Sequence, residues 1–186
     1  MVDPLRITPR DGTILVRTDV AGHAARMGHR LVLAFDEWGA EVDFDEAGPS
    51  RIGLRVDIAS LRVASGTGGA APLTPVDRGL IRRNALQVLD ADAHPWSTFR
   101  SDSVAAQHDR LDVFGGIAIA GATRPLAVSL AVSRDAGRIT ASGRIPLRQT
   151  DFGIRPYSAL LGSLRVADEV SVEIAVTVPG AWPAQI

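Results

Sequence analysis

Apolar residues recur at every second position along most of this chain, and that period restricts its fold more than any other feature. Ile14, Val16 and Thr18 share one side of a segment, with Arg17 and Asp19 on the other. Leu31, Leu33 and Phe35 repeat the spacing, as do Val42 and Phe44, then Ile52, Leu54, Val56 and Ile58. The second half continues with Leu111, Val113, Gly115, Ile117 and Ile119, with Leu126 to Val132, and with Ile139, Ala141, Gly143 and Ile145. Val170 to Val178 closes the series, with Ser171, Glu173 and Thr177 facing away. Side chains alternate sides along a strand, so each run predicts a strand with one buried face.

Turn residues separate the runs: Asp11-Gly12, Glu46-Ala47-Gly48-Pro49, Gly121-Ala122-Thr123-Arg124-Pro125 and Asp135-Ala136-Gly137. Connections this short join antiparallel neighbours. An open meander would leave two unpaired edges, so closure into an all-β, eight-stranded antiparallel barrel is expected. The period breaks once. Thr74 is a candidate N-cap, Pro75 suits the first helical position, and Asp77 completes a capping box, predicting one inserted helix over about residues 75–90. Ile81, Ala85, Val88 and Leu89 lie near one face of it, with Arg78, Arg82 and Arg83 off that face. The Gly- and Ala-rich stretch from Ala64 to Pro72 reads as a mobile loop. Nothing marks a boundary, so residues 1–186 read as a single domain.

The chain has no cysteine, which removes disulfides, thiolate metal sites and a cysteine nucleophile. Its 20 basic and 21 acidic residues are intermixed, with no basic stripe of the kind nucleic acid requires. The start, Met1-Val2-Asp3-Pro4-Leu5-Arg6, does not resemble a signal peptide, and no apolar stretch is long enough to span a bilayer as a helix. A cytoplasmic location is the expectation from those features.

An eight-stranded barrel is just wide enough to be filled by its own side chains or to hold one small ligand. Here Gly115, Ala141 and Gly143 are small, and aromatics make up only 5% of the chain. An aliphatic lining of this kind would bind an alkyl or isoprenoid chain. A barrel packed solid with its own side chains is the other outcome the pattern allows.

Several segments resemble the YceI-like family. They are Gly22-His23 to Leu31; Val56-Asp57-Ile58-Ala59-Ser60-Leu61; Pro95-Trp96-Ser97-Thr98-Phe99-Arg100-Ser101; Gly121 to Leu126; Arg148 to Ile154; and Leu164 to Val170. Each motif is weak alone, but they occur in the family's order from about residue 12 to 178. The resemblance implies an extended lipocalin-like barrel and binding of a long polyisoprenoid chain.

Alternation and the matched segments together nominate the ligand wall: Ile14, Val16, Leu31, Leu33, Phe35, Phe44, Leu54, Val56, Phe99, Val113, Ile117, Phe152 and Ile154. His29 is placed at the barrel mouth; Arg148, Asp151 and Arg155 share a turn that an Arg–Asp pair stabilises or that faces a ligand head group; and Tyr157, with the aliphatic run Ala159-Leu160-Leu161 after it, caps the cavity or closes the barrel end. A guanidinium suits a phosphate because its fork donates two parallel hydrogen bonds. His23, His29, His94 and His108 match no metal-ligand spacing, so no metal site is expected. There is no Gly-x-Ser-x-Gly elbow, and Ser65-Gly66-Thr67-Gly68-Gly69 lacks the lysine of a phosphate loop, so neither catalysis nor a cofactor is expected.

The function expected is non-catalytic binding or carriage of a polyisoprenoid or isoprenoid quinone. Two other readings stand beside it: a structural or stress-response barrel with a filled core, and a hydrolase-like enzyme using His29. An exposed barrel face is available for a homodimer.

Overall fold

The computed structural model describes residues 3–180; residues 181–186 lie outside it, as do Met1 and Val2, where the reading of the N-terminus begins. Seven strands come first: β1 (Leu5–Ile7), β2 (Gly12–Arg17), β3 (Val20–Ala21), β4 (His29–Phe35), β5 (Trp38–Asp45), β6 (Gly48–Asp57) and β7 (Leu61–Gly68). Helix α1 (Pro75–Val88) follows. Then come β8 (Trp96–Ala106), β9 (Arg110–Ile119), β10 (Ala122–Asp135), β11 (Arg138–Arg148), β12 (Ser158–Ala159), β13 (Leu164–Val166) and β14 (Glu169–Pro179).

The class is all-β with one helix, as the period requires, but the strand count differs from eight. Eleven strands form one strongly curled antiparallel sheet in the order β1-β5-β6-β8-β9-β10-β11-β14-β2-β4-β7, and β12-β13-β3 form a separate three-stranded sheet. Short strands such as β1 and β3 carry too few residues to show a period, so alternation alone undercounts them. At one end of the curl the turn after β4 and the bend after β6 are joined: Asp57 N–H donates to the Glu37 carbonyl at 2.9 Å, and Asp36 N–H to that of Ser60 at 3.4 Å.

The Ala64–Pro72 loop is a second correction. Residues up to Gly68 continue β7 and pair with β4, from Phe35↔Leu61 to His29↔Gly68. Glycine and serine weaken a strand, but here the partner strand holds the segment in register.

The helix begins where its capping box places it. Thr74 accepts from the Asp77 N–H at 3.2 Å, and the Asp77 carboxylate accepts from the Thr74 N–H at 2.8 Å. It ends at Val88, two residues short of the expected limit. Its apolar face, including Ile81, Ala85 and Leu89, packs on Leu33, Leu61 and Val63. Two of its arginines have a specific task. Arg78 Nη1 donates to the Val63 and Ala64 carbonyls at 2.9 and 3.1 Å, and Arg82 Nε to the Leu61 carbonyl at 2.7 Å. Strand β7 is a sheet edge, and these guanidinium groups satisfy carbonyls that would otherwise lack a partner.

Tight turns hold the long strands together. The β9–β10 turn, Ala120-Gly121, has φ of 47° and 79°, and the β10–β11 turn, Ala136-Gly137, has 47° and 73°. Two successive positive φ values match the twist of the flanking strands. Gly115 and Gly143, expected to leave space inside the barrel, instead allow close contacts. A Cβ on Gly115 would lie 2.1 Å from the Arg100 carbonyl oxygen, where the β8–β9 register shifts between Ser101 and Ser103. A Cβ on Gly143 would lie 2.7 Å from Leu130 Cδ2, just past Ala131↔Ser142, the last β10–β11 pair. Beyond that point the two strands part. The 3-10 turn Gln149–Phe152 contacts both of them, with Phe152 buried on it.

An apolar cavity with one exposed rim

The curled sheet encloses a cavity of about 500 Å³. That lies within the roughly 300–1,000 Å³ typical of small-molecule sites. The wall is almost wholly aliphatic and aromatic, with polar groups confined to a few positions such as Asn84, Ser97 and Gln149.

The structure brings together on this one wall every residue nominated for it from the sequence. Ile14 and Val16 face it from β2, and His29, Leu31, Leu33 and Phe35 from β4. Phe44 faces it from β5, Leu54 and Val56 from β6, Phe99 from β8, and Val113 and Ile117 from β9. Arg148 lies at the end of β11, Phe152 and Ile154 in the turn beyond it, and Tyr157 just before β12. Alternation missed the contributions of α1 (Ile81, Ala85, Val88) and of the small sheet (Val20, Leu164, Val166), whose elements are helical or too short to show period two. Trp38 was missed too, although it lies in register with Val42 and Phe44. Its indole N–H is buried without a partner.

Exposure locates the mouth. Of the wall residues, Met27, Arg148, Tyr157 and Arg165 are exposed. Three of them lie on or beside the three-stranded sheet, and Arg148 opens the turn that leads toward it. At this rim His29 Nε2 donates to the Ala71 carbonyl at 2.8 Å, so this nitrogen carries the proton. The interaction ties the start of β4 to the segment leading into α1.

The acid that organises the Arg148 turn is Asp168, not Asp151 as the sequence suggested. Asp168 accepts from the Thr150 N–H at 2.9 Å and from its hydroxyl at 2.7 Å. These two hydrogen bonds, the hydroxyl first, hold the Asp168 carboxyl below the usual carboxylate range, with the Arg148 charge adding to them. Asp77 is lowered for the same reason, by its bonds to Thr74. Asp43 and Asp45 lie on the outer side of β5, where Asp43 faces Arg51 at 3.9 Å and Asp45 accepts from the Ala47 N–H at 2.8 Å. Among the described residues, no three histidine or carboxylate side chains cluster as a metal site would require, and no helix is long and apolar enough to cross a membrane.

The comparisons with known proteins agree with this geometry. The model of the YceI-like domain matches residues 13–178. The chain belongs to the YceI-like family. Solved structures share the fold. Burkholderia cenocepacia BcnA is similar at a TM-score of 0.66 and 18% identity, over 90% of this chain and 96% of that one. The Campylobacter jejuni YCEI protein is similar at 0.59 and 18%, over 80% and 84%. A cysteine variant of the latter, solved with a monobromobimane guest, gives 0.60 and 16%. Among curated proteins none matches the chain.

Proposed function

We propose that this YceI-like protein binds, without catalysis, one long apolar molecule inside its curled sheet, and that the ligand is a polyisoprenoid or an isoprenoid quinone. The observation that carries the reading is the cavity itself: about 500 Å³ of space bounded by aliphatic and aromatic side chains. A core filled by its own residues would not leave such a volume, because protein interiors pack with few voids larger than a water molecule. Each methylene moved from water onto this wall contributes about 0.8 kcal/mol, so an extended chain gains affinity with length. The polar rim suits a ligand with one polar end: Arg148 and Arg165 are exposed there and can pair with phosphate or quinone oxygens.

The non-catalytic reading has its own support. His29 Nε2 is engaged by the Ala71 carbonyl, and the Asp77 carboxylate is committed to capping α1. That leaves Nδ1 as the only ring nitrogen able to act as a base, and among the described residues no serine or threonine hydroxyl is hydrogen-bonded to it.

Native mass spectrometry of freshly purified protein, followed by organic extraction and mass analysis, tests the proposal. An apolar molecule at near one-to-one occupancy is the expected result. A bare protein mass, together with no rise in melting temperature when polyprenols and ubiquinones are added, overturns it.

A further inference from the structure

Of the eight large apolar side chains that stand exposed among the described residues, four gather at one place: Met27, Tyr157, Leu160 and Leu161. Met27 and Tyr157 are also on the cavity wall, so this patch borders the mouth. The segments that carry it are laced together. Ala24 N–H donates to the Ser163 carbonyl at 2.8 Å, β13 pairs with β3 and with β12, and Gly22 has no side chain where a Cβ would lie 2.4 Å from the Ser163 carbonyl oxygen.

The leucines at its tip are held outward by an unusual backbone. Leu160 and Leu161 have φ of 50° and 53°, a left-handed conformation that leucine rarely adopts, let alone twice in succession. Leu161 is fully exposed. Strain that exposes apolar surface is retained where the surface has a use.

Charge indicates what that surface meets. Residues 20–30 and 152–167 contain Arg26, Arg30, Arg155 and Arg165, and the acids that border them are Asp19, Asp151, Asp168 and Glu169, of which Asp168 is engaged by Thr150. Arg30 is paired with Asp19 at 2.8 Å, while Arg26, Arg155 and Arg165 are exposed. An apolar tip carried on segments with three exposed guanidinium groups matches a bilayer surface bearing anionic lipid, with leucines at acyl-chain depth and guanidinium groups among the phosphates.

We infer that this lip docks the protein on an anionic lipid surface, with Leu160 and Leu161 inserted, so that the cavity mouth opens onto the membrane. The purpose of docking rests on the proposed function, since an apolar chain would then pass between bilayer and cavity without crossing water. Docking itself is measured independently of cavity occupancy.

The test is flotation of the full chain with vesicles of phosphatidylcholine containing phosphatidylglycerol, against vesicles of phosphatidylcholine alone. The wild type is expected to float with the first and far less with the second, and high salt is expected to weaken it. The double variant L160S/L161S is expected to lose on the order of tenfold or more in partitioning at an unchanged melting temperature. R155Q/R165Q is expected to remove the preference for anionic lipid. A V76S/L80S variant, altered on the exposed face of α1, is expected to float as the wild type does. The inference is overturned if the wild type does not float, if L160S/L161S floats equally well, or if the leucine pair instead mediates self-association or capture of a protein partner with no vesicle binding. Mass analysis of extracted ligand on the same samples reads the cavity separately, so either conclusion can fail without the other.

Discussion

Strands β9 and β10 keep ten residue pairs in register, whereas β12, β13 and β3 share four pairs among all three. The long pair turns Leu111, Val113, Ile117, Leu126, Val128 and Leu130 toward the cavity. The small sheet turns Val20, Leu164 and Val166 inward and leaves Leu160 and Leu161 outside with positive φ. Ladder hydrogen bonds and apolar burial act together in the first region, so its stability is collective. In the second, few backbone bonds hold exposed apolar groups that the fold does not use. The contrast separates the part of the molecule that maintains the fold from the part available for contact with something else.

Two leucines test that separation most directly. Leu61 is 1% exposed, between the sheet and α1, while Leu161 is fully exposed. Truncating a leucine in a packed site costs about 2–5 kcal/mol, and changes at open surface positions stay within about 0.5 kcal/mol. Equilibrium urea denaturation of Leu61→Ala and Leu161→Ala should therefore differ by several kcal/mol. Equal effects would mean that the lip is part of the cooperative core.

Glycines sharpen the picture at a smaller scale. Gly115→Ala places a methyl against the Arg100 carbonyl and should cost about 1–3 kcal/mol by forcing the β8–β9 ladder apart. Gly79→Ala, on an open face of α1 with nothing within 4 Å, should stabilise by about 0.5–1 kcal/mol. The difference in midpoint between these two variants reports how closely the wall strands approach.

Ala141→Phe asks whether the wall borders space or packed atoms. Ala141 is buried, faces the cavity and pairs across to Val132 and Val176. In a filled core the added ring would cost about 1–3 kcal/mol. With the cavity open, the ring enters it, the stability change is below about 1 kcal/mol, and co-purifying ligand is lost. Calorimetry and extraction on one preparation read both quantities.

How much of this was legible in the sequence follows from the same contrast. The wall obeys period two, and a strand residue with a buried face shows it to any reader of the sequence; Ile14, Leu33, Val56 and Val113 were placed on that basis. The capping box of α1 was legible because Thr74, Pro75 and Asp77 are adjacent in the chain. Gly115 and Gly143 were misread because a glycine in an alternating run is equally compatible with empty space and with a neighbouring backbone. The Arg148 turn was misread because Asp168 is distant in sequence and Asp151 is near. Arg78 and Arg82 bind β7 carbonyls, a task that helical periodicity cannot reveal. The lip was legible only as an aliphatic run after Tyr157 at the barrel end: two- and three-residue strands carry no period, and nothing local foretells that Leu160 and Leu161 take positive φ and stand outside.

The smallest effect expected lies on the outer face of the wall. Glu173 on β14 is clamped between Arg17 on β2, whose Nε is 2.7 Å away, and Arg144 on β11. The hydrogen bond from Arg17 is the main cause that holds the Glu173 carboxyl below its ordinary value of 4.5, opposed in part by desolvation and aided by Arg144. A carboxyl lowered in the folded state adds stability above its unfolded value and loses it as pH falls through the folded one. Both arginines are about half exposed or more, so solvent screens the pair and Glu173→Gln should cost only about 0.5–1 kcal/mol at neutral pH. The gap between wild type and variant should persist above pH 5, shrink below 4.5 and narrow with added salt. A gap that stayed constant through the acid range would mean that the glutamine is felt through packing between β2, β14 and β11 rather than through charge. The cross-strand clamp would then be a matter of shape, like the rest of the wall.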